Sequence, residues 1–458
     1  PNSALLDDMP TIDVENAWGL DATSYGNHEF DYGLARLLAQ QERANFPFLA
    51  ANIVDEVTGE APDWVQPSAV FTVNGIEVGV IGADVKTTPE LVSAGNTAGL
   101  LFLDEAERIA LESERLRKQG VDVQIVVIHQ GATLGANVID GKPAAPWEGP
   151  IIDIVSQLQD TTIDLVLAGH THRVANTMVG HIPVAEGTNA GTSYSVAQLM
   201  VKGHDVVWTG TATRLAVNLG VAPRADVKTI VDAANAETAV LRNEVIGTQS
   251  ADIKRDGARL TESAMGNFVA DIMRAKYPGV DAALTNSGGL RADLLMLPPS
   301  SANEASGEIT WGEVFTTLPF GNRTVIMTLT GAQLVAALTN GVSPSCSAAV
   351  ATGRTPQVSG LVINYHCDGT TPVIDLVQRA PLGGPLTPIG PTDTIRIVTL
   401  DFMYTGGDGY TALAAGTNVL QPGDGLLDIV VDHIRLNSPV SAAGPPPPGV
   451  ATRIIKAP

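Results

Sequence analysis

Along the first half of the chain the apolar positions follow two periods. Residues 48–53, 78–83, 123–128 and 163–168 are short, nearly continuous apolar runs that read as buried strands, and 21–25 reads as a further strand. Stretches of helical period separate them. They cover 4–20, where Ile12, Val14, Ala17 and Trp18 recur, then 33–44, 104–120 and 151–159. The helix over 104–120 is the clearest: its first turn is acidic, its last turn carries Arg115, Arg117 and Lys118, and Gly120 ends it. Strand alternates with helix, which predicts a layered α/β domain. Residues 184–207 then read as antiparallel strands with turns at Gly191-Thr192 and at Lys202-Gly203-His204-Asp205.

After residue 221 the pattern changes. Pro223-Arg224-Ala225-Asp226 opens a polar, Ala-rich helix with too little apolar face to be a core element. The expected organisation is a first domain over 1–221, a linker helix over 222–246 and a second domain over 247–458. Within the second domain a helix ends near Lys276, and Thr310-Trp311-Gly312-Glu313 opens another. The proline run 445–448 reads as a rigid surface loop.

Composition narrows the classes. A chain of 458 residues with 44% hydrophobic positions buries large cores, and its length favours two domains. The net charge of −22, with no basic stripe, argues against polymeric nucleic acid as a partner. No window approaches the roughly 20 apolar residues that span a bilayer. The only cysteines, Cys346 and Cys367, are compatible with one disulfide and with an exported protein.

The candidate chemistry sits where apolar runs end. Gly26-Asn27-His28-Glu29-Phe30-Asp31 follows the first strand, Ile128-His129-Gln130-Gly131 the third run, and Gly169-His170-Thr171-His172-Arg173 the fourth. Strand ends are where α/β proteins place reactive side chains. Any one of these histidines alone reads more readily as structural. The second domain adds Arg259-Leu260-Thr261-Glu262-Ser263, Asn286-Ser287-Gly288-Gly289-Leu290-Arg291, Leu318-Pro319-Phe320-Gly321-Asn322 and Asp401-Phe402-Met403-Tyr404-Thr405-Gly406-Gly407-Asp408-Gly409-Tyr410.

In this order the motifs resemble the two-domain 5'-nucleotidase family. The resemblance implies a layered calcineurin-like metallophosphoesterase domain, truncated at its start, joined by a helix to an α+β 5'-nucleotidase C-terminal domain. It implies two divalent metal ions, Zn, Mn or similar. Asn27, His129 and His170 would serve one and His172 the other, while His28, held by Asp31, would stabilise the phosphoryl group. Phe320 and Phe402 would sandwich a base, Asn322 and Asn286 would bond its edge, Asp408 would hold ribose hydroxyls, and Arg259 and Arg291 would face ribose or phosphate.

The implied activity is hydrolysis of nucleoside 5'-monophosphates to nucleoside and phosphate by a metal-activated water, outside the cytoplasm: extracellular, periplasmic or at the cell surface. The sister activities are hydrolysis of 2',3'-cyclic nucleotides or of UDP-sugars. Nucleotide binding without catalysis is the reading from another class. The family also carries, upstream of this point, an Asp-x-His motif and a Gly-Asp motif whose Asp bridges the metals. Neither motif precedes Asn27 in this sequence, and Asp7 and Asp8 read as surface residues. Residues ahead of Pro1 are expected to supply those ligands. Without them one metal is expected to bind weakly, and catalysis to be poor.

Overall fold

Three of the apolar runs lie side by side in one sheet. Its order is Ala175–Val179, Ile182–Glu186, Ile163–Ala168, Val123–His129, Ile76–Asp84 and Ser68–Val73. The four inner strands run parallel, and an antiparallel strand closes each edge. Helices Glu105–Lys118 and Pro150–Ser156 supply Ile109, Leu116 and Ile154 to a core that also holds Ile81, Val126 and Val166. Burying each such side chain stabilises the domain by roughly 1.5–3 kcal/mol. Asp104 caps its helix by accepting from the Glu107 amide at 3.2 Å. The computed structural model describes residues 2–134, 138–139, 142–143, 147–216, 220–256, 259–297, 304–346, 353–421, 423–442 and 451–457, so the proline run lies outside the described residues.

Three stretches differ from expectation. The run over 48–53 splits: Phe48–Leu49 pairs in parallel with Thr23–Ser24, whereas Ile53–Asp55 pairs with Leu100–Phe102. Here the chain lies in backbone contact with strand Ile76–Asp84 of the main sheet. The Ala51 amide donates to the Gly82 carbonyl at 2.8 Å, and a Cβ on Gly82 would lie 2.1 Å from the Leu49 carbonyl oxygen. The helix expected over 4–20 forms only over Met9–Trp18, because Asp7 and Asp8 both adopt left-handed backbone (φ 56° and 59°). Both acids are held by Arg36, at 3.3 and 2.7 Å respectively. Finally, the antiparallel hairpin is Ser193–Lys202 with Asp205–Leu215, whereas Ile182–Glu186 belongs to the main sheet.

The second half builds a five-stranded sheet in the order Pro356–Ser359, Ala282–Asn286, Thr394–Leu400, Thr324–Thr330, Thr417–Leu420, and a four-stranded sheet centred on Thr371–Arg379 and Leu361–Asp368. Helices Ala264–Lys276, Gly331–Val342 and Leu426–Asn437 complete its core. Cys346 and Cys367 form a disulfide. Packing divides the chain into two compact units, Asp7–Asp232 and Ala233–Pro458 with Pro1–Leu6. The division falls inside helix Ala225–Arg242, the stretch read as a linker. No helix among the described residues is long and apolar enough to cross a membrane.

Candidate active site

The segment Gly26–Asp31 is an anchored turn. Tyr25 and Phe30 are fully buried and pack with Phe48, Trp64 and Phe102 in an aromatic cluster. Between these two anchors Asn27 is buried, Glu29 half-buried and His28 exposed. Asn27–Phe30 forms a single 3-10 turn, and the Glu29 carboxylate accepts the Gly26 amide at 2.6 Å. Burial pushes the Glu29 carboxyl up to about 7.

Three of the expected metal ligands come together. The Oδ1 of Asn27 lies 3.1 Å from Nε2 of His129, and the His129 and His170 rings stand 4.9 Å apart, edge to face. Gly26 lets this happen: a Cβ there would sit 2.7 Å from the His129 ring. His28 Nδ1 bonds Asp31 Oδ2 at 2.7 Å, as expected of an oriented imidazole. His172 is exposed, but its charge is felt at both His129 and His170. His170 and His172 adopt left-handed backbone, with φ of 69° and 58°. Such conformations cost of order 1–3 kcal/mol each and cluster at functional sites.

Burial, then the charges of neighbouring histidines, hold His129 down to about 3 and His170 to about 4. Both rings are therefore neutral at physiological pH, the form in which imidazole binds a metal. An amide oxygen and two neutral imidazoles suit one divalent ion of the Zn or Mn kind. Among the described residues no three His, Cys, Asp or Glu side chains are grouped to hold a metal. The donor set thus fits one half of a two-metal centre.

The second unit gathers its own polar cluster. Asp408 sits between Gly407 and Gly409 in left-handed backbone (φ 54°) and is 7% exposed. Its Oδ2 accepts from Asn286 Nδ2 at 2.7 Å. Burial pushes its carboxyl up to about 6, against the opposing pull of that hydrogen bond and of Arg354, Arg259 and Arg291. Among the described residues Asn286 Oδ1 is buried with no hydrogen-bond partner, which is rare in native proteins. Arg259 also has left-handed backbone, φ 56°, and its carbonyl is pinned by the hydroxyls of Ser287 (3.1 Å) and Thr355 (2.8 Å).

The Arg291 guanidinium lies 5.1 Å from the Phe320 ring centre. Phe402 is 8% exposed, joins the core and packs its ring against Gly407, where a Cβ would come within 2.4 Å. Among the described residues no hydrogen bond joins the half-buried Asn322 side chain to this cluster; its carbonyl accepts from the Leu426 amide at 2.8 Å. Sequence reading missed Gly26, Glu29, Arg354, Ser287 and Thr355. Only Gly26, Glu29 and Ser287 stood inside quoted motifs, and nothing local marks Arg354 or Thr355.

Comparison with known proteins matches the calcineurin-like phosphoesterase family over residues 14–174 and the 5'-nucleotidase C-terminal domain over residues 242–415. Cell wall protein Lmo0130 of Listeria monocytogenes is 30% identical over 444 residues, which are 90% of this chain and 55% of that protein. Endonuclease YhcR of Bacillus subtilis is 27% identical over 358 residues, 75% of this chain and 28% of that protein. The chain thus spans only 55% and 28% of the length of these two relatives. The 5'-nucleotidase precursor from Thermus thermophilus shares the fold with a TM-score of 0.78 at 24% identity, covering 98% of this chain and 86% of that one. The chain therefore carries a calcineurin-like phosphoesterase domain followed by a 5'-nucleotidase C-terminal domain and belongs to the two-domain 5'-nucleotidase family.

Proposed function

We propose that the protein hydrolyses nucleoside 5'-monophosphates to nucleoside and phosphate. The observation that carries this reading is the convergence of Asn27, His129 and His170 beside the His28–Asp31 pair. Asn27, His129 and His170 would hold one divalent ion and His172 a second. Such ions, when bound, neutralise phosphate charge and acidify a water. Asp31 accepts from His28 Nδ1 and orients the ring, so that Nε2, when it carries a proton, would donate to charge on the transferring phosphoryl group.

In the second unit, Asp408 would hold ribose hydroxyls, and the unpartnered Asn286 Oδ1 would accept from the nucleoside. Phe320 and Phe402 would stack the base, at roughly 1–3 kcal/mol for each contact, with Asn322 at its edge. Arg259 and Arg291 would face ribose or phosphate. Export is part of the proposal: the disulfide suits an oxidising compartment, and one relative is named a cell wall protein.

Nucleotide binding without turnover is the competing reading, favoured by the incomplete metal-donor set among the described residues. A panel of AMP, 2',3'-cyclic AMP and UDP-glucose, assayed with Mn²⁺ for product release, separates these. Release of phosphate chiefly from AMP supports the proposal. Preference for either diester, or binding of AMP without release, contradicts it.

A further inference from the structure

His170 and His172 hold left-handed backbone on either side of Thr171, so something outside the loop must impose the shape. The neighbouring strand Ile182–Glu186 provides it. Glu186, at its end, is fully buried (0% exposed). Its Oε1 lies 2.7 Å from Thr171 Oγ1, and its Oε2 accepts the Ala132 amide at 3.0 Å. Thr171 Oγ1 in turn lies 2.8 Å from the Ala132 carbonyl.

The same junction is closed by the backbone. The Gly169 amide donates to the Gln130 carbonyl at 3.1 Å. A Cβ on Gly131 would come within 2.3 Å of the Gly169 carbonyl and 2.7 Å of Glu186 Oε1. One carboxyl therefore joins the loop that follows His129 to the loop that carries His170. Among the described residues no ion pair compensates its burial, which is offset instead by its hydrogen bonds to the Ala132 amide and to Thr171. Nothing in the Ala185-Glu186-Gly187 sequence announces this role.

We propose that Glu186 is a positioning residue for the metal-binding histidines, tying Thr171 to Ala132 and so fixing His129 and His170 at their 4.9 Å ring separation. The inference rests on the reading of that cluster as a metal site. An amide can replace the carboxyl here. In Glu186→Gln the side-chain oxygen accepts from the Ala132 N–H and the nitrogen donates to Thr171 Oγ1, whose own proton goes to the Ala132 carbonyl. Glu186→Ala leaves the Ala132 N–H buried without an acceptor, and Thr171→Val removes the other end of the tie at nearly constant volume.

The test is calorimetric titration of Mn²⁺ into the full chain, with phosphate release from AMP and thermal unfolding measured alongside. Outer ligands of a metal site typically change affinity by about 10- to 100-fold. Glu186→Ala and Thr171→Val are expected to weaken Mn²⁺ binding by that range and to lower kcat, while KM for AMP stays about constant. Glu186→Gln is expected to restore Mn²⁺ affinity to nearly that of the unaltered protein. Should Glu186→Ala fail to fold, Thr171→Val decides alone. Folded variants that bind Mn²⁺ as tightly as the parent, even with a lowered Tm, overturn the inference and leave the proposed function intact. A Gln variant as weak as the Ala variant also overturns it. A parent protein that neither binds Mn²⁺ nor releases phosphate overturns the proposed function and this inference with it.

Discussion

Gly26 and Asp408 show how much of each candidate site is decided by a single side chain or its absence. Replacing Gly26 by Ala puts a methyl group 2.7 Å from the His129 ring, and such overpacking typically costs about 1–3 kcal/mol. Gly26→Ala should lower Tm and displace His129 from Asn27; Mn²⁺ titration that matches the parent would contradict this. Asp408 titrates at about 6 in the folded protein against an ordinary 3.8. Between these values the folded state holds more protons than the unfolded one, so Asp408's contribution to stability is full below 3.8 and lost as pH rises through about 6. Denaturant titrations at about pH 4 and about pH 7 should therefore show a larger loss of stability for the parent than for Asp408→Asn. An equal loss in both would contradict the burial of this carboxyl.

The His28–Asp31 pair was legible because its partners lie three residues apart, whereas His129, His170, Asn286 and Asp408, whose partners are distant in the chain, were named only through the order of their motifs. Gly26 against His129, or Arg354 against Asp408, depends on contacts between residues far apart in the chain, and no local pattern encodes them. The left-handed backbone of His170, His172 and Asp408 was equally hidden, because it is imposed by neighbours rather than by propensity.

At the scale of elements, strong periodicity was legible and crossings were not. Strand Ile163–Ala168 and helix Glu105–Lys118 follow from their apolar spacing and caps, and the Thr310–Glu313 capping box starts helix Trp311–Thr317 as its sequence requires. The run over 48–53 looked like one strand, yet the backbone there comes into close contact with Gly82 and its two ends pair with different strands, and its period carries no sign of that. Two adjacent left-handed aspartates likewise cut short a helix that apolar spacing alone would extend.

The disulfide ties helix Gly331–Val342 and its following turn to strand Leu361–Asp368 across 21 residues. Closing a loop of this size stabilises by about 3 kcal/mol. Cys346→Ser with Cys367→Ser should lower the denaturant midpoint accordingly, and an unaltered midpoint would contradict it.

Across the whole molecule, two compact units with separate cores predict that a single two-state transition does not describe unfolding. Mn²⁺ should raise the transition of the unit that holds His129, and adenosine that of the unit that holds Asp408, because each ligand stabilises only what it binds. Calorimetry in which both ligands shift one common transition would contradict this.

The net charge of −22 adds a constraint. For the proposed nucleotide substrate, bound metal would have to offset this charge at the phosphate, so removing metal should abolish turnover rather than merely slow it. The most direct measurement is phosphate release from AMP with and without added Mn²⁺, for the parent and for His28→Ala. Metal-dependent release that falls by about 100- to 1,000-fold in His28→Ala, the usual contribution of one donor to developing charge, is the expected result. Release that is indifferent to metal, or undiminished in His28→Ala, would contradict the assignment of this site.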